Sequence, residues 1–498
     1  MPEYAAEAVL SAQATSPDEA HKRQQQGTWQ LLLARVFFFA SAYVVSAILA
    51  RKLGATDYGI YGVVISQLLW LEMMANAGVP GATAKLMAEG RHDPGDIERS
   101  ARALLLGLSF LLVVVCWLLA PVAATLMRIP DGAVLFRVAI IDLPFAGMYA
   151  AYNGILYGRR RFGVLALTQV VYGVTKVAGV VGLISLGFSV GRVLLVNVLS
   201  TFAVCAILAL YFRLHGFRPS GRVLREIVSL AAPMALILVL SQVLVILDLW
   251  LLKSLWGGGG EVIGQYVASV NLARALMVIP AAQAGVLFVS VAWAVASSDT
   301  VRAQRHVQEA TRFALVIAVA ACAILGGDAS EVLSLLFSSA YSDGQNFLRL
   351  LLAGFGLFAV LDAFSNALMA ARRQWLVAAV LIAVVPFVWL SNYLLIPRIG
   401  PIGAATSMLM GVTLATGVTG ALVYRYFGSP VRSSTLVRVL VAGVAVGLVS
   451  AAIPVRAPLV VVKVGLLGGF YLFVLHVLGE ITLRDLGLSV KIPTDRPA

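Results

Sequence analysis

Charged side chains inside long apolar stretches are the residues of this sequence whose types could carry chemistry. They are Arg35, Glu72, Asp142, Lys176, Asp248, Arg274 and Asp362. An ionisable group at membrane depth is costly, so each is a candidate for a functional role by default. No zinc-protease, phosphate-loop or nucleophile-elbow motif accompanies them, and the His residues are scattered. The sequence therefore favours transport over catalysis, driven by an ion gradient, a substrate gradient or a separate partner.

Two pairs of these residues lie at matching depths in neighbouring apolar spans. Arg35 and Glu72 lie toward the cytosolic ends of the first and second spans, and Asp142 and Lys176 lie at similar distances from the outer ends of the fourth and fifth. Each pair is either a structural ion pair between adjacent helices or a functional charge group, and the sequence leaves both open. The carboxylates expected to couple transport to H⁺ or Na⁺ are Glu72, Asp142, Asp248 and Asp362; no other cofactor is expected.

Arg274 differs because it lies near the middle of the eighth span, where no carboxylate matches its depth. Asp248 is nearer the outer face and Asp362 nearer the inner. An unpaired guanidinium there needs a water-filled cavity or an anionic ligand, and its planar fork suits phosphate oxygens. Asn271 lies about one turn earlier on the same face. The predicted substrate-binding residues are Arg274, Asn271, Arg35 and Lys176.

The elements that must position these residues are membrane-spanning helices. The chain has 498 residues, of which 60% are hydrophobic and 12% charged, and a mean hydropathy of +0.92. About fourteen apolar runs are long enough to cross a hydrocarbon core of roughly 30 Å. They cover 29–50, 58–80, 101–125, 133–157, 162–186, 191–212, 226–252, 262–292, 307–326, 345–371, 374–396, 401–424, 435–453 and 457–479. We predict an all-α polytopic membrane protein.

The distribution of the basic residues that give the net charge of +13 indicates the membrane topology. With the N-terminus in the cytosol, most of the 37 Lys and Arg residues fall in cytosolic segments. This asymmetry is the positive-inside rule and predicts that both termini are cytosolic. The basic residues are then expected to contact anionic membrane lipids, and they give no support to a nucleic-acid partner.

An internal repeat divides the spans into two pseudo-symmetric sets of six. Asn153–Phe162 recurs as Asn366–Trp375, and Gly59–Tyr61 corresponds to Gly264–Tyr266. Such repeats are typical of transporters built from two bundles. The predicted organisation is a disordered cytosolic tail over 1–28, an N-lobe over 29–212, a cytosolic inter-lobe linker over 213–225, a C-lobe over 226–424, two further spans over 425–480 and a cytosolic tail over 481–498. Proline residues that bend helices lie inside four spans: Pro144, Pro233, Pro280 and Pro386.

Three short stretches resemble a known family. Arg51–Gly59 (RKLGATDYG) resembles a signature of Wzx-type polysaccharide flippases of the multidrug/oligosaccharidyl-lipid/polysaccharide (MOP) superfamily. Asn76–Lys85 resembles that family's close of the second span, with Asn76 where Asp is usual. Glu331–Tyr341 resembles its stretch before the tenth span. The resemblance covers about residues 28–424.

The resemblance implies a flippase, not an enzyme. It would carry an undecaprenyl-pyrophosphate-linked oligosaccharide, such as an O-antigen or exopolysaccharide repeat unit, across a bacterial inner membrane by ion-coupled alternating access around a cationic cavity. Its expected partners are membrane lipids and the polysaccharide polymerase and chain-length machinery. Three alternatives remain open: a lipid II flippase, a MATE-type multidrug exporter, and a polytopic enzyme of lipid-linked sugars that uses Asp57. Such an enzyme normally has a large outer loop, which is missing from this sequence.

Overall fold

A computed structural model describes residues 17–212, 219–455 and 457–481, and within these stretches the regular structure is entirely helical. A helix satisfies every backbone polar group internally, which the apolar spans require in lipid. The helices are α1 (Pro17–Asn76), α2 (Val79–Glu89), α3 (Pro94–Leu126), α4 (Gly132–Ile140), α5 (Leu143–Gly158), α6 (Phe162–Leu186), α7 (Val190–Phe212), α8 (Gly221–Leu244), α9 (Leu247–Leu255), α10 (Gly260–Arg274), α11 (Val278–Ala296), α12 (Thr300–Gly327), α13 (Ala329–Leu336), α14 (Gln345–Ala370), α15 (Gln374–Ile399), α16 (Pro401–Phe427), α17 (Ser433–Ala452) and α18 (Val460–Val477).

The predicted fold class is confirmed. In the described part of the chain, 12 helical segments are long and apolar enough to cross a membrane. One of them, Leu33–Glu89, has 57 residues and contains the first and second predicted spans. These two spans are separated at Gly54, whose φ of 77° and ψ of 168° interrupt α1. The eighth predicted span is divided between α10 and α11. Each predicted span is therefore occupied by helix.

Three predicted spans are interrupted near a charged residue. The fourth is broken between α4 and α5, the seventh between α8 and α9, and the eighth by a short 3₁₀ helix, Ala275–Met277. Pro144 and Pro280 lie just after the first and third breaks, whereas Pro233 and Pro386 lie inside the continuous helices α8 and α15. Proline alone therefore does not decide where a span is broken.

The chain forms two compact units. Unit 1 consists of Met1–Lys52 and Val64–Val239, and unit 2 of Leu53–Val63 and Leu240–Ala498. The division falls inside α1 and α8, so it differs from the predicted lobe boundaries at 212, 225 and 424. In unit 1, buried residues of α8 share a core with α2 and α3; this core includes Val223, Ile227, Ala231, Leu86, Ile97 and Leu105. The beginning of the seventh span is therefore packed against the second and third.

In unit 2, the last two spans pack against α12. Val446 of α17 and Leu467 and Tyr471 of α18 form a buried cluster with Ile324 of α12. The Tyr471 hydroxyl donates a hydrogen bond to the Val316 carbonyl oxygen at 3.1 Å. The predicted addition over 425–480 is thus built into the same compact unit as the end of the seventh span and the eighth to twelfth spans.

The predicted tails and linker lie mostly outside the described residues, which exclude 1–16, 213–218 and 482–498. Two parts are described: 17–28, which was predicted to be disordered but belongs to α1, and 219–225 of the predicted linker, in which α8 begins at Gly221.

Candidate functional site

Unit 1 brings three of the predicted charges together around one buried amide, and we name this group the Asn197 cluster. Lys176 Nζ donates to Asn197 Oδ1 at 2.7 Å and to the Tyr172 hydroxyl at 3.2 Å. Asn197 Nδ2 in turn donates to Asp142 Oδ2 at 3.3 Å. The Glu72 carboxyl lies beside that of Asp142, and both feel the charge of Lys176. The cluster therefore joins α1, α6 and α7 to the break between α4 and α5.

The break in the fourth span explains how a carboxylate is accommodated there. Asp142 is the residue immediately before the first turn of α5 and is 1% exposed. The free N–H groups and dipole of a helix N-terminus favour a negative charge. Pro144 suits the first turn, where its missing N–H is not needed.

The expected direct ion pairs are not formed in unit 1. Asn197 bridges Lys176 and Asp142, so the two charges interact through an amide. Arg35 donates to the Tyr157 hydroxyl at 2.8 Å on an exposed face and does not pair with Glu72, whose carboxyl faces Asp142 instead. Matching depth alone did not predict the partners, because it contains no information on which way each helix face points.

In unit 2, Asp248 lies near the N-terminus of one helix and Arg274 at the C-terminus of another. Asp248 lies in the first turn of α9, and Arg274 is the last residue of α10. These positions match the sign of each helix dipole. Asp248 is 1% exposed and accepts a hydrogen bond from the buried Tyr266 hydroxyl. Among the described residues, no donor reaches its other oxygen, Oδ1.

The sequence places no carboxylate at the depth of Arg274, but Asp248 lies within reach of its charge. The Arg274 charge acts on Asp248, and its guanidinium lies over the Phe355 ring at 5.9 Å from the centroid. Sequence depth placed Asp248 nearer the outer face on the assumption of a straight span. Because the seventh and eighth spans are both broken, depth counted along a straight helix does not apply to them. Arg274 is half-buried and has protein contacts of its own.

Asn271 and Asp362 have contacts on other elements. Asn271 Nδ2 donates to the hydroxyl of the fully buried Tyr58 at 2.9 Å. Asp362, on α14, borders a cavity of about 20 Å³ that also contacts Pro280, Phe313 and Ala359. That volume holds about one water molecule. The side chain of Asn366 donates to the Asp362 carbonyl oxygen at 2.8 Å.

Sequence reasoning missed a buried ion pair in the last spans. Lys463 of α18 is 6% exposed and donates to Asp328 Oδ1 at 2.7 Å, to the Ser450 carbonyl at 2.8 Å and to the Ile453 carbonyl at 2.7 Å. Asp328 also accepts from the Ser450 hydroxyl at 3.1 Å. The rule that selected the other charges would have found Lys463, which lies inside the predicted span 457–479.

No group of three or more His, Cys, Asp or Glu side chains suitable for a metal ion occurs in the described part of the chain. The arrangement instead provides carboxyls and cations held inside helical bundles, each near a polar partner. Such groups can exchange a monovalent cation or contact a charged ligand without covalent chemistry.

Comparison with known proteins identifies what this arrangement is similar to. The family model described as polysaccharide biosynthesis protein matches residues 25–289. No curated protein sequence matches the chain. An inward-closed structure of the lipid II flippase MurJ aligns with 93% of this chain and 99% of its own, with a TM-score of 0.70 and 14% identity.

Two further solved structures have a similar fold. An inward-facing MATE family multidrug resistance transporter of the MOP superfamily aligns with 77% of this chain and 92% of its own, with a TM-score of 0.63 and 16% identity. A MOP superfamily transporter from Pyrococcus furiosus aligns with 80% of this chain and 94% of its own, with a TM-score of 0.58 and 17% identity. At these identities the similarity establishes the fold alone.

Proposed function

Because the chain belongs to the polysaccharide biosynthesis family of the MOP superfamily, we propose that it is a flippase for a polyprenyl-pyrophosphate-linked oligosaccharide. It would move this lipid from the cytosolic to the outer leaflet of a bacterial inner membrane, for use by a polysaccharide polymerase. The observation that carries the proposal is the family match over residues 25–289. We expect a polytopic membrane protein of that family to bind its sugar in the form of a membrane-anchored lipid.

Arg274 is the residue proposed to contact the pyrophosphate. Its guanidinium lies at a break in the eighth predicted span, so it is at membrane depth but not enclosed in a continuous helix. A planar guanidinium can hold two phosphate oxygens at once, which the ammonium of a lysine cannot. Lys176 and Arg35 are weaker candidates, because their described hydrogen bonds go to Asn197 and Tyr172, and to Tyr157.

Alternating access requires some helix contacts to open during transport, and we propose the contact of Leu53–Val63 with α10. Leu53–Val63 belongs to unit 2, while the residues before and after it in α1 belong to unit 1. A short segment that belongs to a different unit from the rest of its helix is suited to changing its helix contacts during transport.

Lipid II transport is the second candidate function. The MurJ structure aligns with 93% of this chain, against 77% for the MATE transporter, so the fold similarity extends further along the chain. Both candidate substrates share a polyprenyl-pyrophosphate anchor and differ in the sugar. The fold therefore supports the lipid class more directly than it supports either glycan.

Complementation in two bacterial strains tests the proposal. One strain lacks its oligosaccharide flippase, and the other is depleted of its lipid II flippase. We expect surface polysaccharide to return in the first strain and no rescue of growth in the second. Rescue of the second strain alone would replace the proposed substrate with lipid II.

The proposed orientation has its own test. Gly259→Cys in the hairpin after α9 is expected to react with an impermeant thiol reagent in intact cells, and Arg222→Cys at the start of α8 is expected to be protected. Both wild-type residues are exposed. Labelling of Arg222→Cys without labelling of Gly259→Cys would mean that the predicted orientation is the reverse of the true one.

A further inference from the structure

Arg137, on the short helix α4 in unit 1, has a guanidinium that the described residues do not satisfy. The residue is half-buried, and its Nε is buried without a hydrogen-bond acceptor. The guanidinium carbon lies 5.4 Å from the centroid of the Trp117 ring, and the side chain forms no hydrogen bond or ion pair with another described residue. A buried charged donor without an acceptor is unfavourable. The position therefore calls for an anion from outside the described residues.

A groove where α3 ends and α4 begins leads to this contact. It has a volume of about 500 Å³ and is lined by Pro121, Ala124, Thr125 and residues 128–133. Trp117 lies four residues before Pro121 on α3. Arg137 lies four residues after Ala133 on α4. Because side chains four residues apart share a helix face, the contact of Arg137 with Trp117 lies about one turn below the groove on the same two faces.

Two charged side chains of opposite sign line the mouth of the groove. Arg128 and Asp131 are both exposed and have positive φ values of 50° and 53°. Arg128 follows the end of α3, where glycine is the usual residue. Asp131 precedes α4, but its side chain accepts no cap hydrogen bond. Neither side chain pairs with another described residue. An unfavourable backbone conformation thus holds one cation and one anion at the groove.

The chemistry of these residues fits a zwitterionic phospholipid headgroup. A guanidinium holds phosphate oxygens with its planar fork, so Arg137 and Arg128 provide partners for a phosphate. The Asp131 carboxylate is an acceptor for the N–H donors of a primary ammonium. In the proposed orientation this end of α3 faces the outer leaflet. Exposed apolar side chains that acyl chains can contact lie along α3 at Leu118, Val122 and Leu126.

We propose that the groove between α3 and α4 binds one phosphatidylethanolamine molecule from the outer leaflet. Its phosphate contacts Arg137 and Arg128, and its ammonium contacts Asp131. A glycerol headgroup has no cation for Asp131, and a choline headgroup has no N–H to donate to it. The pyrophosphate of the proposed substrate likewise lacks a cation. This inference goes beyond the proposed transport function and does not depend on which lipid is transported.

Three synthetic lipids that share the same acyl chains test the headgroup on the purified full-length protein in detergent. They are phosphatidylethanolamine, phosphatidylglycerol and phosphatidylcholine. Native mass spectrometry should show one tightly retained phosphatidylethanolamine, and this lipid should raise the midpoint of thermal unfolding more than the other two. Equal effects of all three lipids, or a larger effect of phosphatidylglycerol, would overturn the proposal, because the acyl chains or the negative charge alone would then explain binding.

Arg137→Gln tests the phosphate contact, since it removes the charge and the fork. We expect the apparent Kd for phosphatidylethanolamine to rise by about tenfold or more, as for the loss of a charge-assisted hydrogen bond. Arg137→Lys keeps the charge and should bind with intermediate affinity. Arg398→Gln is the matched control, because Arg398 is exposed in the last turn of α15 in unit 2. Unchanged binding by Arg137→Gln, or an equal loss in the control, would contradict the site.

Asp131→Asn tests the ammonium contact and preserves the turn. Asn adopts the left-handed region readily, so the positive φ is kept while the negative charge is lost. Binding of phosphatidylethanolamine should fall to the level of phosphatidylcholine, whose own binding should not change. Arg128→Asn, by the same reasoning, should weaken binding of all three lipids, since each has a phosphate. A preference for phosphatidylethanolamine that survives Asp131→Asn, or full lipid binding by Arg128→Asn, would overturn the proposed headgroup contacts.

Discussion

Gly59 and Gly264, which occupy equivalent positions in the two halves of the sequence repeat, lie against each other in unit 2. A Cβ atom placed on Gly59 would lie 2.8 Å from the Gly264 backbone nitrogen. A Cβ atom on Gly264 would overlap the carbonyl oxygen of Ala55. Contact between equivalent residues is typical of packing around a two-fold axis. Small residues allow the two helix backbones to approach this closely.

Gly264→Ala should therefore destabilise the protein. The added methyl group meets backbone that cannot rotate away, and overpacking of this kind costs roughly 1–3 kcal/mol. Gly417→Ala on α16 is the matched control, because no atom lies within 4 Å of its Cβ position. That change should be neutral or stabilising, since Ala has the higher helix propensity. Thermal unfolding in detergent measures both, and equal midpoints would contradict the close approach.

A disulfide across the same contact should stop transport reversibly. A Cβ placed on Gly260 lies 3.5 Å from Thr56 Cβ, within the range of about 3.5–4.5 Å found in disulfides. Thr56→Cys with Gly260→Cys would be made in a background without Cys116, Cys205 and Cys322. We expect oxidation to block glycan export and reductant to restore it. Export at the normal rate by fully cross-linked protein would mean that Leu53–Val63 stays on α10 throughout the cycle.

Arg274→Ala should lower export by about tenfold or more while protein abundance stays near normal, because charge-assisted hydrogen bonds contribute roughly 1.5–3 kcal/mol. Arg274→Lys should recover part of the activity, since it keeps the charge but loses the planar fork. Arg398→Ala, at an exposed position in the last turn of α15, is the control. Normal export by Arg274→Ala would remove Arg274 from the substrate path.

Lys463→Met should lower stability by about 3–5 kcal/mol, because it leaves the buried Asp328 carboxylate without its cation. Combining it with Asp328→Asn should recover most of the loss. Lys85→Met is the control, because Lys85 and Glu89 are 3.9 Å apart with side-chain exposures of 57% and 26%, and such surface pairs contribute little. A Lys463→Met protein as stable as this control would contradict a structural role for the buried pair.

The sequence predicts the spans well and the side-chain partners poorly, for different physical reasons. Apolar length alone determines that a segment crosses the membrane. The approach of Asp248 to Arg274 depends on breaks in two spans, and only one of those breaks has a proline nearby. Asn197 was missed because a search for ionisable groups passes over amides. Lys463 was missed although it lies inside its predicted span, where the rule for ionisable groups applies.

Leaflet exchange of a labelled undecaprenyl-pyrophosphate oligosaccharide in proteoliposomes tests the proposed function most directly. The fraction of the glycan open to an impermeant oxidant is measured after an inward or outward pH gradient is imposed. We predict faster exchange with the purified protein than in protein-free liposomes, and loss of that acceleration in Arg274→Ala. Exchange no faster than in protein-free liposomes, or acceleration for lipid II only, would contradict the assignment.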